Sequence, residues 1–146
     1  MDPFARKMLL GTVAFGSAMA LMAGALWVVY AHTHPRCSDQ VLAQLDSPDG
    51  KWTAALMERR CGEDAPFLLH VNLRPQGDAL KLGFFSGRAD EGEVFVVEED
   101  TQRVTPTLQW TTPEELAIRC SGCRTALVRK QDERWRSVGL RYRLQP

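Results

Sequence analysis

The sequence lacks any charged or amide side chain over a long stretch near its N-terminus. Met8 to Tyr30 are 23 consecutive residues without Asp, Glu, Lys, Arg, His, Asn or Gln. As an α-helix this stretch would be about 34 Å long, slightly more than the ~30 Å hydrocarbon core of a bilayer. We therefore predict a transmembrane helix at residues 8–30, preceded by a short segment at residues 1–7.

A cleaved signal peptide is the alternative, because Val29-Tyr30-Ala31 offers small residues at the spacing that a peptidase needs. Signal peptides have apolar cores of about 7–15 residues, and this run is longer. Trp27 and Tyr30 also lie at its far end, where amphipathic aromatic rings settle at the membrane interface. An uncleaved anchor is the favoured interpretation, and a cleaved, secreted periplasmic protein is the alternative.

The charges that flank the run predict its orientation. Arg6 and Lys7 precede it, whereas only Arg36 follows within a comparable distance. Basic residues are enriched on the cytoplasmic side of membrane helices. The prediction is a bacterial inner-membrane protein with a cytoplasmic N-terminus and a periplasmic C-terminal domain.

Net charge is also lacking, since 18 basic residues balance 18 acidic ones. No overall field therefore points to nucleic acid. The charges are nevertheless segregated, with acids concentrated in residues 90–100 and bases in residues 119–143. We expect these two stretches to pair partly within the fold, and a basic face that binds an anionic ligand is the alternative.

Catalytic signatures are missing as well. The sequence has no G-x-S-x-G, no H-E-x-x-H and no Gly-rich phosphate loop after a strand. His32 and His34 could chelate a metal with Cys37, but histidines in a linker are usually only solvated. His70 falls on a strand face opposite the apolar set, so we expect a partly exposed side chain. No enzyme activity, no cofactor and no metal site are predicted.

After Tyr30 the chain shows strand alternation and turn signals, with no amphipathic helical stretch. Ser47-Pro48-Asp49-Gly50 is a turn sequence between two strands, and residues 67–73 and 138–144 alternate in the same way. We predict a linker at residues 31–38 and an antiparallel all-β domain at residues 39–146, sandwich-like or a meander, with about seven or eight strands. Phe84 and Phe85, between Gly83 and Ser86, form either an exposed contact patch or part of the core.

All four cysteines lie beyond the membrane segment, which suits an oxidising compartment. Four cysteines allow three pairings. A hairpin would return Cys37 and Cys61 to the same end, and a two-residue turn at Ser121-Gly122 would bring Cys120 opposite Cys123, so these two disulfides are predicted. A redox-active C-x-x-C is the main alternative for the second pair, and half of a zinc site is the weaker one.

The run S-P-D-G-K-W-T-A-A-L-M-E-R-R-C-G, residues 47–62, resembles a motif of small, uncharacterised, membrane-anchored or exported bacterial proteins. In that motif S-P-D-G-K opens a strand that ends in E-R-x-C-G. The resemblance covers about 16 residues and implies an exported β-domain. Residues 63–66 depart from the Thr- and Gly-rich continuation associated with the group.

Small residues recur on one face of the predicted membrane helix, at Gly16, Ala20 and Gly24. Such a face lets a second helix approach closely. The favoured function is a non-enzymatic accessory or protein-interaction module in the bacterial envelope, which meets its partner through this helix or through the β-domain. A thiol–disulfide protein that uses Cys120 and Cys123 is the alternative.

Overall fold

The structure is a computed structural model that describes residues 2–33, 36–84, 86–99 and 102–146, with Thr105 described by its backbone only. The chain forms two compact units, residues 1–35 and residues 36–146. Each unit is described by itself.

The first unit is a single helix, α1, from Pro3 to Thr33. None of its residues is buried, and it is long and apolar enough to cross a membrane. The last turn of α1 includes Ala31 to Thr33, which were predicted as the start of the linker. Within this turn, Thr33 Oγ1 donates to the carbonyl oxygen of Val29 at 2.9 Å.

The second unit consists of two β-sheets. The first sheet has the strand order β1-β2-β3-β4-β7, and the second has the order β5-β6-β9-β8. The strands are β1 Ser38–Asp46, β2 Trp52–Arg60, β3 Leu68–Pro75, β4 Glu93–Val97, β5 Thr105–Thr112, β6 Glu115–Ser121, β7 Val128–Gln131, β8 Arg134–Trp135 and β9 Val138–Gln145.

A membrane-type helix followed by an all-β domain is therefore confirmed, with one difference in topology. β6 and β9 pair in parallel, with Leu116 opposite Leu140. The parallel pair arises because the chain leaves the second sheet after β6, adds β7 to the first sheet, and then returns. The predicted hairpin at Ser121-Gly122 is wrong for the same reason, since β6 and β7 belong to different sheets.

The turn between β1 and β2 follows its sequence closely. Gly50 has a φ of +69°, which side chains with a Cβ atom rarely adopt, and its N–H donates to the carbonyl oxygen of Ser47 at 2.9 Å. Ser47 Oγ also donates to Asp49 Oδ1 at 2.7 Å. The turn fixes the register of a long hairpin, in which Asp39 lies opposite Arg59.

The main core lies between the two sheets, because alternate residues of their strands turn their side chains toward each other. β3 contributes Leu69, Val71 and Leu73, and β6 contributes Leu116 and Ile118. β2 and β3 are buried on both faces, whereas a strand with one solvated face would be buried at alternate positions only. Something must therefore cover the second face of the first sheet.

The structure joins Cys37 to Cys61 and Cys120 to Cys123, which are the pairs expected from the sequence. Their surroundings differ. Cys120 and Cys123 are only 1% and 2% exposed and belong to the main core, whereas Cys37 and Cys61 are half-buried. The sequence alone predicts that the local Cys120–Cys123 bond is reduced first. The burial reverses this expectation, because a thiol reagent reaches the half-buried Cys37–Cys61 pair more easily.

We predict that mild thiol reduces Cys37–Cys61 before Cys120–Cys123, and that Cys61→Ser destabilises the domain more than Cys123→Ser. Loss of the Cys37–Cys61 bond, which closes the longer loop, should lower the free energy of unfolding by about 3.5 kcal/mol. Loss of the Cys120–Cys123 bond, which closes the shorter loop, should lower it by about 2 kcal/mol. Native-state thiol trapping followed by peptide mapping, together with denaturant unfolding of the two variants, measures both. Earlier labelling of Cys120 and Cys123 would contradict the assignment.

Candidate functional site

Four polar side chains lie buried on the second face of the first sheet. Asp39 comes from β1, Arg59 from β2, His70 from β3 and Glu93 from the start of β4. Strand alternation places His70 there, because its neighbours Leu69 and Val71 belong to the main core. Arg59 lies on the same face, two residues along β2 from Met57, which is opposite His70. These side chains, which we call the ion cluster, are all at least nine-tenths buried.

Arg59 is at the centre of the ion cluster. Its Nε and Nη2 donate to the two carboxylate oxygens of Asp39 at 2.7 and 3.0 Å, and its Nη1 donates to Glu93 Oε2 at 2.8 Å. Asp90 Oδ1 lies 3.4 Å from the same Nη1. A planar guanidinium suits this arrangement because its donors form a fixed fork that matches a carboxylate.

His70 lies between the two buried carboxylates and is 0% exposed. Its Nε2 is 3.5 Å from Asp39 Oδ1, and its Nδ1 is 3.4 Å from Glu93 Oε2. The expectation of a partly exposed His70 is therefore wrong.

His70 is buried because the connection between β3 and β4 lies over this face of the sheet. We call residues 76–84 and 86–92 the covering segment. Ala89 packs against Ala55 and Met57, with Leu80 beside them. None of the described residues of the covering segment belongs to a helix or a strand. The sequence therefore did not predict that this segment packs on the sheet.

The sheet holds the covering segment by hydrogen bonds from buried polar groups. Asp39 Oδ2 accepts the backbone N–H of Ala89 at 2.6 Å, and Asn72 Nδ2 donates to the carbonyl oxygen of Glu91 at 2.5 Å. At Gly92 the backbone approaches so closely that an added Cβ would lie 1.9 Å from the carbonyl oxygen of Leu73. The ion cluster therefore both fills this face and fixes the segment that covers it.

The pKa of Asp39 reflects these contacts. Burial alone raises the pKa of a carboxyl, but contact with His70, the hydrogen bonds from Arg59 and the Ala89 N–H together outweigh burial and hold the pKa of Asp39 well below its usual range. The fold thus keeps the Asp39 carboxylate ionised, and the carboxylate accepts hydrogen bonds from Arg59 and from the N–H of Ala89. A buried acceptor with its oxygens already engaged is suited to holding structure together.

The other residues singled out in the sequence lie elsewhere. Gly16, Ala20 and Gly24 are on α1, and nothing lies within 4 Å of a Cβ added at Gly16 or Gly24. His32 is in the last turn of α1, and His34 and Phe85 lie outside the described residues. Across the described ranges, no group of three or more His, Cys, Asp and Glu side chains is arranged to hold a metal ion.

The acidic and basic stretches meet where β4 pairs with β7. Arg129 Nε donates to Glu98 Oε2 at 2.6 Å, and the Lys130 ammonium donates to the carbonyl oxygen of Glu93. Their pairing within the fold is as expected. Arg119 and Arg143 remain exposed on adjacent strands of the second sheet.

Comparison of the chain with protein-family models, with curated proteins and with solved structures finds no significant match. The resemblance of residues 47–62 to exported bacterial proteins therefore stays a prediction. In the structure, the residues of that motif have definite places. Ser47 to Gly50 form the turn of the β1–β2 hairpin, and Arg59 and Cys61 lie at its other end.

We predict that the domain loses stability as pH falls below about 4, and that Asp39→Asn removes most of this loss. The pKa of Asp39 is lower in the folded than in the unfolded chain, where it is about 3.9, so its contribution is present above that pH and disappears below it. At neutral pH, Asp39→Asn should lower the free energy of unfolding by about 3 kcal/mol, because the buried Arg59 loses the carboxylate that accepts two of its three hydrogen bonds to acidic side chains.

Chemical unfolding of both proteins between neutral and acidic pH measures this prediction. Asp64→Asn is the control, because Asp64 is an exposed residue in the loop between β2 and β3. The control should keep nearly the full acid dependence. An Asp39→Asn variant with the same acid dependence as the parent would contradict the prediction.

Proposed function

We propose that this chain is a single-pass membrane protein whose uncleaved helix anchors a β-domain in the periplasm of a bacterium. The 31-residue helix with no buried residue supports an anchor, and Arg6 and Lys7 favour a cytoplasmic N-terminus. Two disulfides in the β-domain suit an oxidising compartment.

We infer further that the β-domain is a non-enzymatic interaction module. The observation that carries this inference is the burial of the ion cluster. Its side chains would be the best acid and base pair in the domain, yet Arg59, His70 and Glu93 are 1%, 0% and 10% exposed and contact one another. A catalytic acid or base must reach a substrate within hydrogen-bond distance, and this arrangement leaves no room for one.

The surface that best fits a partner is the edge strand β1. It has nine residues, it pairs only with β2 among the described residues, and Val41, Leu42 and Leu45 are exposed along it. Every second residue of an edge strand directs its backbone N–H and C=O away from the sheet, where an extended segment of another protein can pair with them. An extended segment of an envelope protein is the partner that this edge favours.

The thiol–disulfide alternative has less support, because both cysteines of the C-x-x-C pair are buried in the main core. Reactive cysteines are partly exposed, so that substrates can reach the sulfur. A structural role for the Cys120–Cys123 bond is the interpretation that follows.

Capture from membranes tests the proposal. The full chain with a C-terminal tag is expected to sediment with the inner membrane and to carry an envelope protein with it after cross-linking. The double variant Val41→Lys, Leu42→Lys should lose the captured protein, because lysines on an edge strand oppose pairing. Its membrane sedimentation and unfolding temperature should not change, since both side chains are exposed.

Gln109→Lys is the matched control, because Gln109 is an exposed residue on β5, the edge strand of the second sheet. It should retain the captured protein. Equal recovery by the parent and the double variant would contradict the role of β1. A soluble mature protein that begins near His32 would instead contradict the anchor.

A further inference from the structure

Two arginine side chains lie side by side on the outer face of the second sheet, the face turned away from the main core. Arg119 on β6 is opposite Arg143 on β9 in the parallel register. Both are exposed, whereas Ile118 and Cys120, which flank Arg119, belong to the main core. Neighbouring strands are about 4.8 Å apart, so the two guanidinium groups can reach the same small molecule.

No acidic side chain among the described residues pairs with either of these two arginines. Glu115 is the one acidic residue in the strands of the second sheet, and its Oε2 already accepts from Arg141 Nε at 3.2 Å. Its Oε1 accepts the hydroxyl of Thr111 at 2.8 Å. Like charges side by side on a sheet repel each other, so the pair of arginines lowers stability unless an anion neutralises it.

The two arginines line an open groove of about 410 Å³ on this face. Gln145 on β9 is opposite Ser121 on β6, and both side chains also line the groove. Thr107, which is opposite Arg119, borders it on the β5 side. The amide of Gln145 and the hydroxyl of Ser121 add neutral hydrogen-bond donors beside the positive charges. The groove therefore suits an anion with several acceptor oxygens.

The number of guanidinium groups favours phosphate over carboxylate. In the ion cluster, the Nε and Nη2 of one arginine, Arg59, engage both oxygens of the Asp39 carboxylate. Two guanidinium forks therefore match an anion with more than two oxygens and with two negative charges. A phosphate monoester has three terminal oxygens and a charge of about −1.5 to −2 at neutral pH.

We propose that Arg119 and Arg143 form a binding site for the phosphate monoester group of a small molecule. One guanidinium from each strand donates to the phosphate oxygens, and Ser121 and Gln145 donate to the oxygens that remain. The site lies on the second sheet, whereas the edge strand β1 belongs to the first.

NMR of the arginine Cζ carbons in the full chain tests this proposal. The chain is kept in a maltoside detergent, which carries no phosphate. Glycerol 3-phosphate is added at constant ionic strength and about pH 8, where the ester is a dianion. The signals of Arg119 and Arg143 should shift along one common binding curve, and that of Arg129, which bonds to Glu98, should not shift. Unrelated curves for Arg119 and Arg143, or an equal shift of Arg129, would overturn the proposal.

Variants separate a shaped site from attraction by charge, with affinity measured at the Arg119 signal. Arg143→Gln should weaken binding of glycerol 3-phosphate by about tenfold, because its charge-assisted hydrogen bonds are lost. Arg143→Lys keeps the charge but loses the fork, so it should weaken binding severalfold. Arg129→Gln is the matched control, because it removes one positive charge from an exposed position on the first sheet. Equal affinities of Arg143→Gln and Arg129→Gln, or of Arg143→Lys and the parent, would contradict the site.

The choice of anion and the stability of the variant give two further readouts. Acetate should bind at least about tenfold more weakly than glycerol 3-phosphate, since one carboxylate fills only one fork. Acetate that binds as tightly, or inorganic phosphate that binds much more tightly than the ester, would overturn the proposal. Without ligand, Arg143→Gln should not lower the unfolding temperature, because it removes one of two like charges. A lower unfolding temperature would assign Arg143 a structural role instead.

Discussion

The β-domain depends on the placement of one guanidinium. Arg59 is 1% exposed, and it bonds to carboxylates from β1 and from the start of β4, 20 and 34 residues away in sequence. Taking such a charge out of water is costly, and only good geometry with full hydrogen bonding offsets the cost. The arrangement ties strands β1, β2 and β4 to one point, so the sheet and the covering segment depend on each other.

The placement of Arg59 also affects which surfaces of the β-domain are exposed. Because Asp39 and Asn72 hold the covering segment on the sheet, the second face of the first sheet is closed. The loop with Leu82 and Phe84 is held beside Arg36 and Cys37, at the start of the domain. Among the described residues, no strand pairs with the outer edge of β1, although Trp110 Nε1 donates to the carbonyl oxygen of Leu45 at 3.1 Å. A buried electrostatic cluster thus closes one face of the first sheet with the covering segment.

Much of the fold follows from local patterns in the sequence. The uncharged run predicted the helix, alternation predicted the strands, and the turn at residues 47–50 predicted the β1–β2 hairpin together with the pairing of Cys37 and Cys61. The ion cluster could not be predicted in this way, because its members come from distant strands and look like ordinary surface residues one at a time. His70 was expected to be partly exposed because it falls on the strand face opposite the apolar set. That face is covered by a segment whose described residues form no helix or strand, and the sequence did not predict this cover. The parallel pairing of β6 with β9 was not predicted, because it arises only when β7, which follows β6 in sequence, joins the first sheet.

The central claim is that Arg59 holds the covering segment on the sheet. Hydrogen exchange of the full chain at neutral pH, compared between the parent and Arg59→Met, measures this most directly. The account predicts that Ala89, whose N–H bonds to Asp39, and the neighbouring amides of residues 86–92 lose protection by at least tenfold, about 1.4 kcal/mol, in addition to any uniform loss across the strands. A variant in which these amides keep their protection relative to β2 and β3 would contradict it.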